Sequence, residues 1–155
     1  MSKTTTKLPG VKRRGKPSTA STGRTTALAA ARKTRKFAVE AARMMTDYHC
    51  EDALVLDVRG KSDVTDYIVI VSGTSEVQIR SVGHRVMELA KEMGLSAYTK
   101  SPGGSGKWVV LDYVDVIVHV FDPVTRGHYD LEMMWGDVPQ VRWRRVKKPA
   151  AKAPE

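Results

Sequence analysis

The fold is decided by residues 67–93, which read YIVIVSGTSEVQIRSVGHRVMELAKEM. The first five residues are aromatic or β-branched, which is typical of a central strand covered on both faces. Ser75 and Gln78 then form a capping box at the start of a helix. Apolar side chains recur at helical spacing from Ile79 to Met93, and Gly94 supplies a C-terminal stop. The stretch therefore predicts a buried strand that leads into an amphipathic helix.

The sequence on either side supplies the rest of a layered domain. The same reasoning predicts a helix over about 27–48, strands over 54–58, near 96–99, over 108–112 and over 116–121, and a helical region that starts at Asp122-Pro123 and runs through 129–135. A tight turn joins the last two strands into an antiparallel hairpin. Helices and strands in this mixed order predict one α/β domain with a mixed sheet of about five strands and flanking helices.

The charge of the chain is divided between regions of opposite sign. The net charge is +9 over 155 residues. Residues 1–36 hold 11 basic and no acidic residues, residues 37–141 hold 9 basic and 16 acidic ones, and residues 142–155 hold 6 basic and 1 acidic. We therefore predict a disordered basic arm over 1–25, an acidic domain over 26–141 and a basic tail over 142–155.

The basic arm has three interpretations that the residues leave open. It is a polycation that contacts RNA phosphates, a solubilising tail, or an organellar transit peptide rich in Arg, Ser and Thr. No apolar run reaches the length needed to cross a bilayer, and the start of the chain lacks the apolar segment of a secretory signal. The single cysteine, Cys50, excludes an internal disulfide and favours a reducing compartment.

The case for an enzyme is weak, and we predict no catalytic residue, metal site or cofactor. The glycine-rich stretch before Lys107 lacks the first glycine of a phosphate-binding loop and leads into a strand instead of a helix. His119 lies in an apolar strand, which favours a core or dimer-interface histidine bonded to a neighbour over a catalytic base. Asp112 and Asp115 flank a tight turn, where aspartate commonly bonds the local backbone, and no third metal ligand accompanies them.

Aromatic and acidic side chains near the end of the domain suggest a binding surface. Alternation puts Trp108, Val110 and Asp112 on one face of their strand. If Val109 and Leu111 face the core, the first three form an apolar strip with an acidic rim, which suits a protein partner. The alternative is a second layer that covers this face and makes Trp108 part of the core.

The segment 129–135 also has two interpretations, as part of the core or as part of a binding surface. Tyr129, Met133 and Leu131 can pack inward, which leaves Asp130 and Glu132 for solvent or a basic partner. Trp135 fits either environment.

Four linked motifs between about Phe37 and Val141 resemble the ribosomal silencing factor S, or Iojap, family. The similar segments, in family order, are 57–62 with 65–67, 72–75, 108–112 with 115–121, and Arg126 with 129–132 and 135–137. The resemblance implies a nucleotidyltransferase-like α/β fold without enzymatic activity. It also implies a cytoplasmic homodimer that binds the large ribosomal subunit at its universal protein numbered fourteen, and blocks joining with the small subunit when nutrients are short. A mitochondrion or chloroplast is the alternative location, if the N-terminal arm is a transit peptide.

The resemblance and the residue chemistry together nominate a set of partner-binding residues. An acidic, aromatic surface suits a basic ribosomal protein. The set is Trp108, Val110, Asp112, Tyr113, Tyr129, Glu132 and Trp135. Asp57, Asp66 and Gly73 are expected to be architectural.

The chain departs from the family pattern in two places. Residues 100–107 are basic and glycine-rich where members carry a Glu-Gly pair, and Gly127-His128 replaces bulkier or charged residues. The alternative function is a general RNA-binding or ribosome-assembly protein that works through its basic arms, including contact with ribosomal RNA. Nucleotidyl transfer rests on fold analogy alone, which is a poor basis for a function.

Overall fold

The computed structural model describes residues 22–96, 99–101 and 106–146, which form helices packed on a five-stranded mixed sheet. The strands are β1 (Glu51–Asp57), β2 (Tyr67–Ser72), β3 (Thr99–Ser101), β4 (Trp108–Asp112) and β5 (Val116–Phe121), in the spatial order β1-β2-β5-β4-β3. Strands β2 and β5 are parallel and the other neighbours are antiparallel. The helices are α1 (Thr22–Asp47), α2 (Glu76–Glu92), α3 (Pro123–Tyr129) and α4 (Leu131–Met134). The predicted α/β class and mixed sheet are confirmed.

Several element boundaries differ from those predicted. Helix α1 begins at Thr22, inside the stretch expected to be a disordered arm, because its alanine-rich first half favours helix. Strand β3 covers Thr99–Ser101, and residues 97–98 of the strand predicted near 96–99 lie outside the described residues. The helical region after β5 is divided in two at Asp130, which has a left-handed backbone with φ of 45°. Residues 1–21, 102–105 and 147–155, on which the predicted arm, glycine-rich loop and basic tail mainly fall, lie outside the described residues.

The strand–helix unit that decides the fold forms as predicted. Every residue of β2 is buried. The Ser75 hydroxyl accepts a hydrogen bond from the backbone N–H of Gln78, and the Gln78 side chain accepts one from the backbone N–H of Thr74. Gly94 has a φ of +72° just after α2, where a left-handed residue ends a helix.

The main core lies on the face of the sheet that α1 and α2 cover. Its largest fully buried side chains include Phe37, Met45, Val69, Ile79 and Leu111. No helix in the described ranges is long and apolar enough to cross a membrane.

The opposite face of the sheet is only half covered. A smaller cluster of Leu56, Val58, Ile68, Ile70 and Phe121 lies there, and Leu131, Trp135 and Val138 pack against it. The chain from α3 to residue 138 therefore covers the β1–β2 half. The β5–β4 half keeps partly exposed side chains.

The chain after α4 runs along the outer edge of β1. The backbone N–H of Val141 donates to the carbonyl of Val55 at 2.7 Å, and the indole N–H of Trp143 donates to the carbonyl of Ala53 at 3.1 Å. Arg145 forms a bidentate ion pair with Asp47, in which Nη1 and Nη2 each lie 3.0 Å from a carboxylate oxygen. The packed domain thus continues past residue 141, and the edge of β1 is shielded from pairing with another chain.

Candidate partner-binding face

Strand β4 presents a partly exposed row of side chains on the half-open face of the sheet. Val109 and Leu111 are buried in the main core. Trp108, Val110 and Asp112 point to the other side and are partly exposed. The expected alternation is therefore present, and the second layer covers this face only in part.

Strand β5 adds two side chains to the same row. Val110 is paired with His119, and Asp112 with Ile117, across the antiparallel ladder. Both Ile117 and His119 are partly exposed. Ile117 was missing from the predicted set, although strict alternation along β5 places it on this face. We call Trp108, Val110, Ile117, His119 and Tyr129 the open face.

Aromatic contacts fix one end of the open face. The ring of Trp108 lies 5.0 Å from that of Phe121 and 4.6 Å from that of Tyr129, centroid to centroid. Its indole N–H donates to Nδ1 of His119 at 3.2 Å. Tyr129 is 50% exposed, so the aromatic cluster is held in place by its packing and still has a surface that a partner can reach.

His119 acts as a neutral acceptor in this cluster. Burial lowers its pKa from 6.5 to about 4. An imidazolium carries a proton on both ring nitrogens, so Nδ1 could no longer accept the bond from Trp108. The expected bond to a neighbour is therefore present.

We predict that the His119–Trp108 pair makes folding stability depend on pH. Because the folded pKa lies below the unfolded value of 6.5, the contribution is complete above that pH and is lost as pH falls towards 4. The free energy of unfolding should drop by about 2 kcal/mol between pH 7 and pH 5. Urea titrations at the two values measure this drop. In His119→Gln, which keeps an acceptor for the indole, the drop should shrink by that amount; an unchanged drop would contradict the assignment.

The turn between β4 and β5 makes the other end of the face acidic. The Asp112 carboxylate accepts a hydrogen bond from the backbone N–H of Val114 at 2.8 Å, as expected of a turn aspartate. Burial and the neighbouring charge of Asp66 raise the pKa of Asp115. Among the described residues, no three Asp, Glu, His or Cys side chains are grouped as a metal site.

Several predicted site residues lie elsewhere. Tyr113 does not belong to the face: it is 5% exposed in the main core, and its ring packs edge-on against Phe37 at 5.1 Å. Glu132 forms an ion pair with Arg126 instead of lying free for a basic partner. Trp135 packs against the smaller cluster, while Met133, expected to pack inward, is 81% exposed.

Two further residues show no sign of reactivity. Cys50 is buried after α1, and burial raises the pKa of its thiol to about 11, which disfavours the reactive thiolate. Lys107 is exposed and is followed directly by β4, so the helix N-terminus of a phosphate-binding loop does not follow it.

Known proteins resemble this chain in sequence and in fold. A family model described as "Ribosomal silencing factor during starvation" matches residues 31–155. The ribosomal silencing factor RsfS of Bacillus subtilis is 37% identical over 99 residues, which cover 64% of this chain and 84% of that protein. The chloroplastic protein Iojap of Arabidopsis thaliana is 34% identical, over 68% of this chain and 44% of that protein.

A solved structure has the same arrangement. A crystal structure of a Chromobacterium violaceum protein superposes with a TM-score of 0.61 at 29% identity, covering 78% of this chain and 95% of that one. Because the family model spans most of the chain and includes the whole sheet, this chain belongs to the family of ribosomal silencing factors.

Proposed function

We propose that this protein represses translation by binding the large ribosomal subunit at its universal protein numbered fourteen. The bound protein blocks joining with the small subunit by occupying space, and it transforms no substrate. The observation that carries the proposal is the open face, where apolar and aromatic side chains stay partly exposed on a rigid sheet beside an acidic turn. Such a surface suits a basic protein partner, because its centre excludes water and its rim complements positive charge.

The family and the charge of the domain support this reading. Residues 37–141 hold 16 acidic and 9 basic residues, so the domain itself repels RNA and attracts basic protein. We infer that the protein forms a homodimer and acts when nutrients are short, as its resemblance to the family implies. The cytoplasm is the favoured location, and a chloroplast or mitochondrion is the alternative, since plant relatives are named for both organelles.

Subunit joining tests the proposed function directly. Purified large subunits incubated with the protein should fail to join small subunits, and sucrose gradients measure the joined fraction. An unchanged joined fraction at saturating protein would overturn the proposal.

We predict that Val110→Lys weakens binding to the large subunit by at least tenfold. The substitution places a cation on the open face against a basic partner, while the lysine stem can lie along the apolar strip with its amine in water. Val77→Lys is the matched control, because Val77 is 76% exposed on α2, on the other side of the sheet. Cosedimentation with large subunits gives the affinities. Equal affinities of the two variants would remove the open face from the interface.

A further inference from the structure

The first half of α1 extends away from the packed domain. Every residue from 24 to 33 is exposed, whereas Phe37, Ala38, Ala41 and Met45 of the second half are fully buried. The helix leaves the domain near the β4–β5 turn, because Phe37 packs against Tyr113 there. The exposed half therefore begins at the same end of the sheet as the acidic end of the open face.

This exposed half carries charge of one sign only. Residues 22–36 include Arg24, Arg32, Lys33, Arg35 and Lys36 and no acidic residue. Arg32 has a like charge three residues on at Arg35 and another four residues on at Lys36, and such pairs destabilise a helix. A polyanionic partner would relieve these repulsions.

We infer that residues 22–36 of α1 bind the phosphate groups of ribosomal RNA beside the site that the open face occupies. This inference rests on the proposed function for the location of the RNA. A helix that binds a membrane surface needs a broad apolar face, and within residues 22–36 Leu28 is the only large apolar side chain. An alanine-rich rod that carries only cations suits a phosphate backbone, which is recognised by charge without base contacts.

The test removes two of these charges without disturbing packing. Arg24 and Arg32 are exposed, and glutamine keeps a high helix propensity. Lys33 is left in place because its ammonium donates to the carbonyl of Gly94, and Arg35 because its charge lowers the pKa of Asp57. The matched control, Arg80→Gln with Lys91→Gln, removes two exposed cations from α2. All variants are full-length and keep the basic residues of 1–21.

Salt titrations of binding to a labelled RNA duplex and to purified large subunits give the result. For Arg24→Gln with Arg32→Gln, affinity for both should fall about tenfold near 0.1 M salt. Each phosphate contact contributes about 0.7 to 0.9 to the slope of log affinity against log salt. Loss of two contacts should therefore make this slope shallower by roughly 1.5. The α2 control should keep the slope of the unmodified protein.

Two outcomes would overturn the inference: an unchanged slope in the α1 variant, or an equal loss in the α2 control. Val110→Lys separates this inference from the proposed function. If that variant alone loses large-subunit binding while the α1 variant behaves as the unmodified protein, the RNA contact is wrong and the proposed function stands. If the α1 variant alone loses binding, the open face is wrong and the RNA contact stands.

Discussion

Replacing Glu132 by lysine should lower the free energy of unfolding by about 3 kcal/mol, which is a large share of the stability of a small domain. The partner of Glu132 is Arg126, whose side chain is only 11% exposed. Arg126 donates from Nε to Glu132 and from Nη1 to the hydroxyl of Ser72 at 2.8 Å. Lysine at 132 would leave the guanidinium without its carboxylate and add a second cation beside it.

The Arg126–Glu132 pair holds the second layer on the sheet. Arg126 lies in α3, Glu132 in α4 and Ser72 at the end of β2, so one guanidinium connects three elements. The segment it fixes includes Trp135, which covers the smaller cluster, and Tyr129, which flanks Trp108. Loss of the pair should therefore loosen α3 and α4 before it affects the main core.

Urea unfolding followed by tryptophan fluorescence measures the effect, and two variants serve as controls. Glu76→Lys breaks an exposed pair with Arg80, at 3.5 Å with both side chains about half exposed, and should cost about 1 kcal/mol or less. Arg126→Met combined with Glu132→Leu removes both charges and should recover most of the loss, since a buried pair can be replaced by apolar groups. If Glu132→Lys costs no more than Glu76→Lys, the pair does not stabilise the fold.

This result changes how substitutions at Glu132 are interpreted. The sequence alone favours Glu132 as a contact to a basic partner, so weaker ribosome binding by Glu132→Lys would support a direct contact. The structure gives a second cause for the same result, because a loosened α3–α4 segment would also displace Tyr129 from Trp108. Val110 has no such role, which makes Val110→Lys the cleaner test of the open face.

Local patterns were sufficient for most of the strands and for most of the open face. The apolar run of β2, the capping box at Ser75 and the period-two alternation of β4 are all formed by neighbours in sequence, and all are present. The same alternation, continued one residue past β4, places Tyr113 on the core side with Val109 and Leu111. Tyr113 was nominated as part of an acidic, aromatic surface, and its burial in the main core does not fit that prediction.

Contacts between distant residues could not be predicted in this way. Glu132 is six residues from Arg126, a spacing that does not bring side chains together on one helix. They meet because Asp130 adopts a left-handed backbone that ends α3 and starts α4 in a new direction. Likewise, nothing in residues 141–145 indicates that they run along β1, since that position depends on the carbonyls of Ala53 and Val55.

Replacing Gly73 by alanine should lower the free energy of unfolding by about 3 kcal/mol. Gly73 is buried between β2 and α2, and its backbone N–H donates to the carbonyl of Phe121 at 2.7 Å. A Cβ there would lie 2.3 Å from Cγ1 of Ile79, which is fully buried in the main core. Neither the backbone of residue 73 nor the side chain of Ile79 can move at low energetic cost, because the hydrogen bond fixes the backbone and the core fixes the isoleucine.

Gly127→Ala is the matched control for this substitution. Gly127 lies inside α3, and a Cβ there would meet nothing within 4 Å, so alanine should stabilise the fold by about 0.5 to 1 kcal/mol. Thermal and urea unfolding of the two variants should therefore move in opposite directions. Ile79→Ala in the Gly73→Ala background should cost less than the two single losses combined, because it removes the clashing atom. Additive losses would mean that the contact with Ile79 does not limit the size of the residue at position 73.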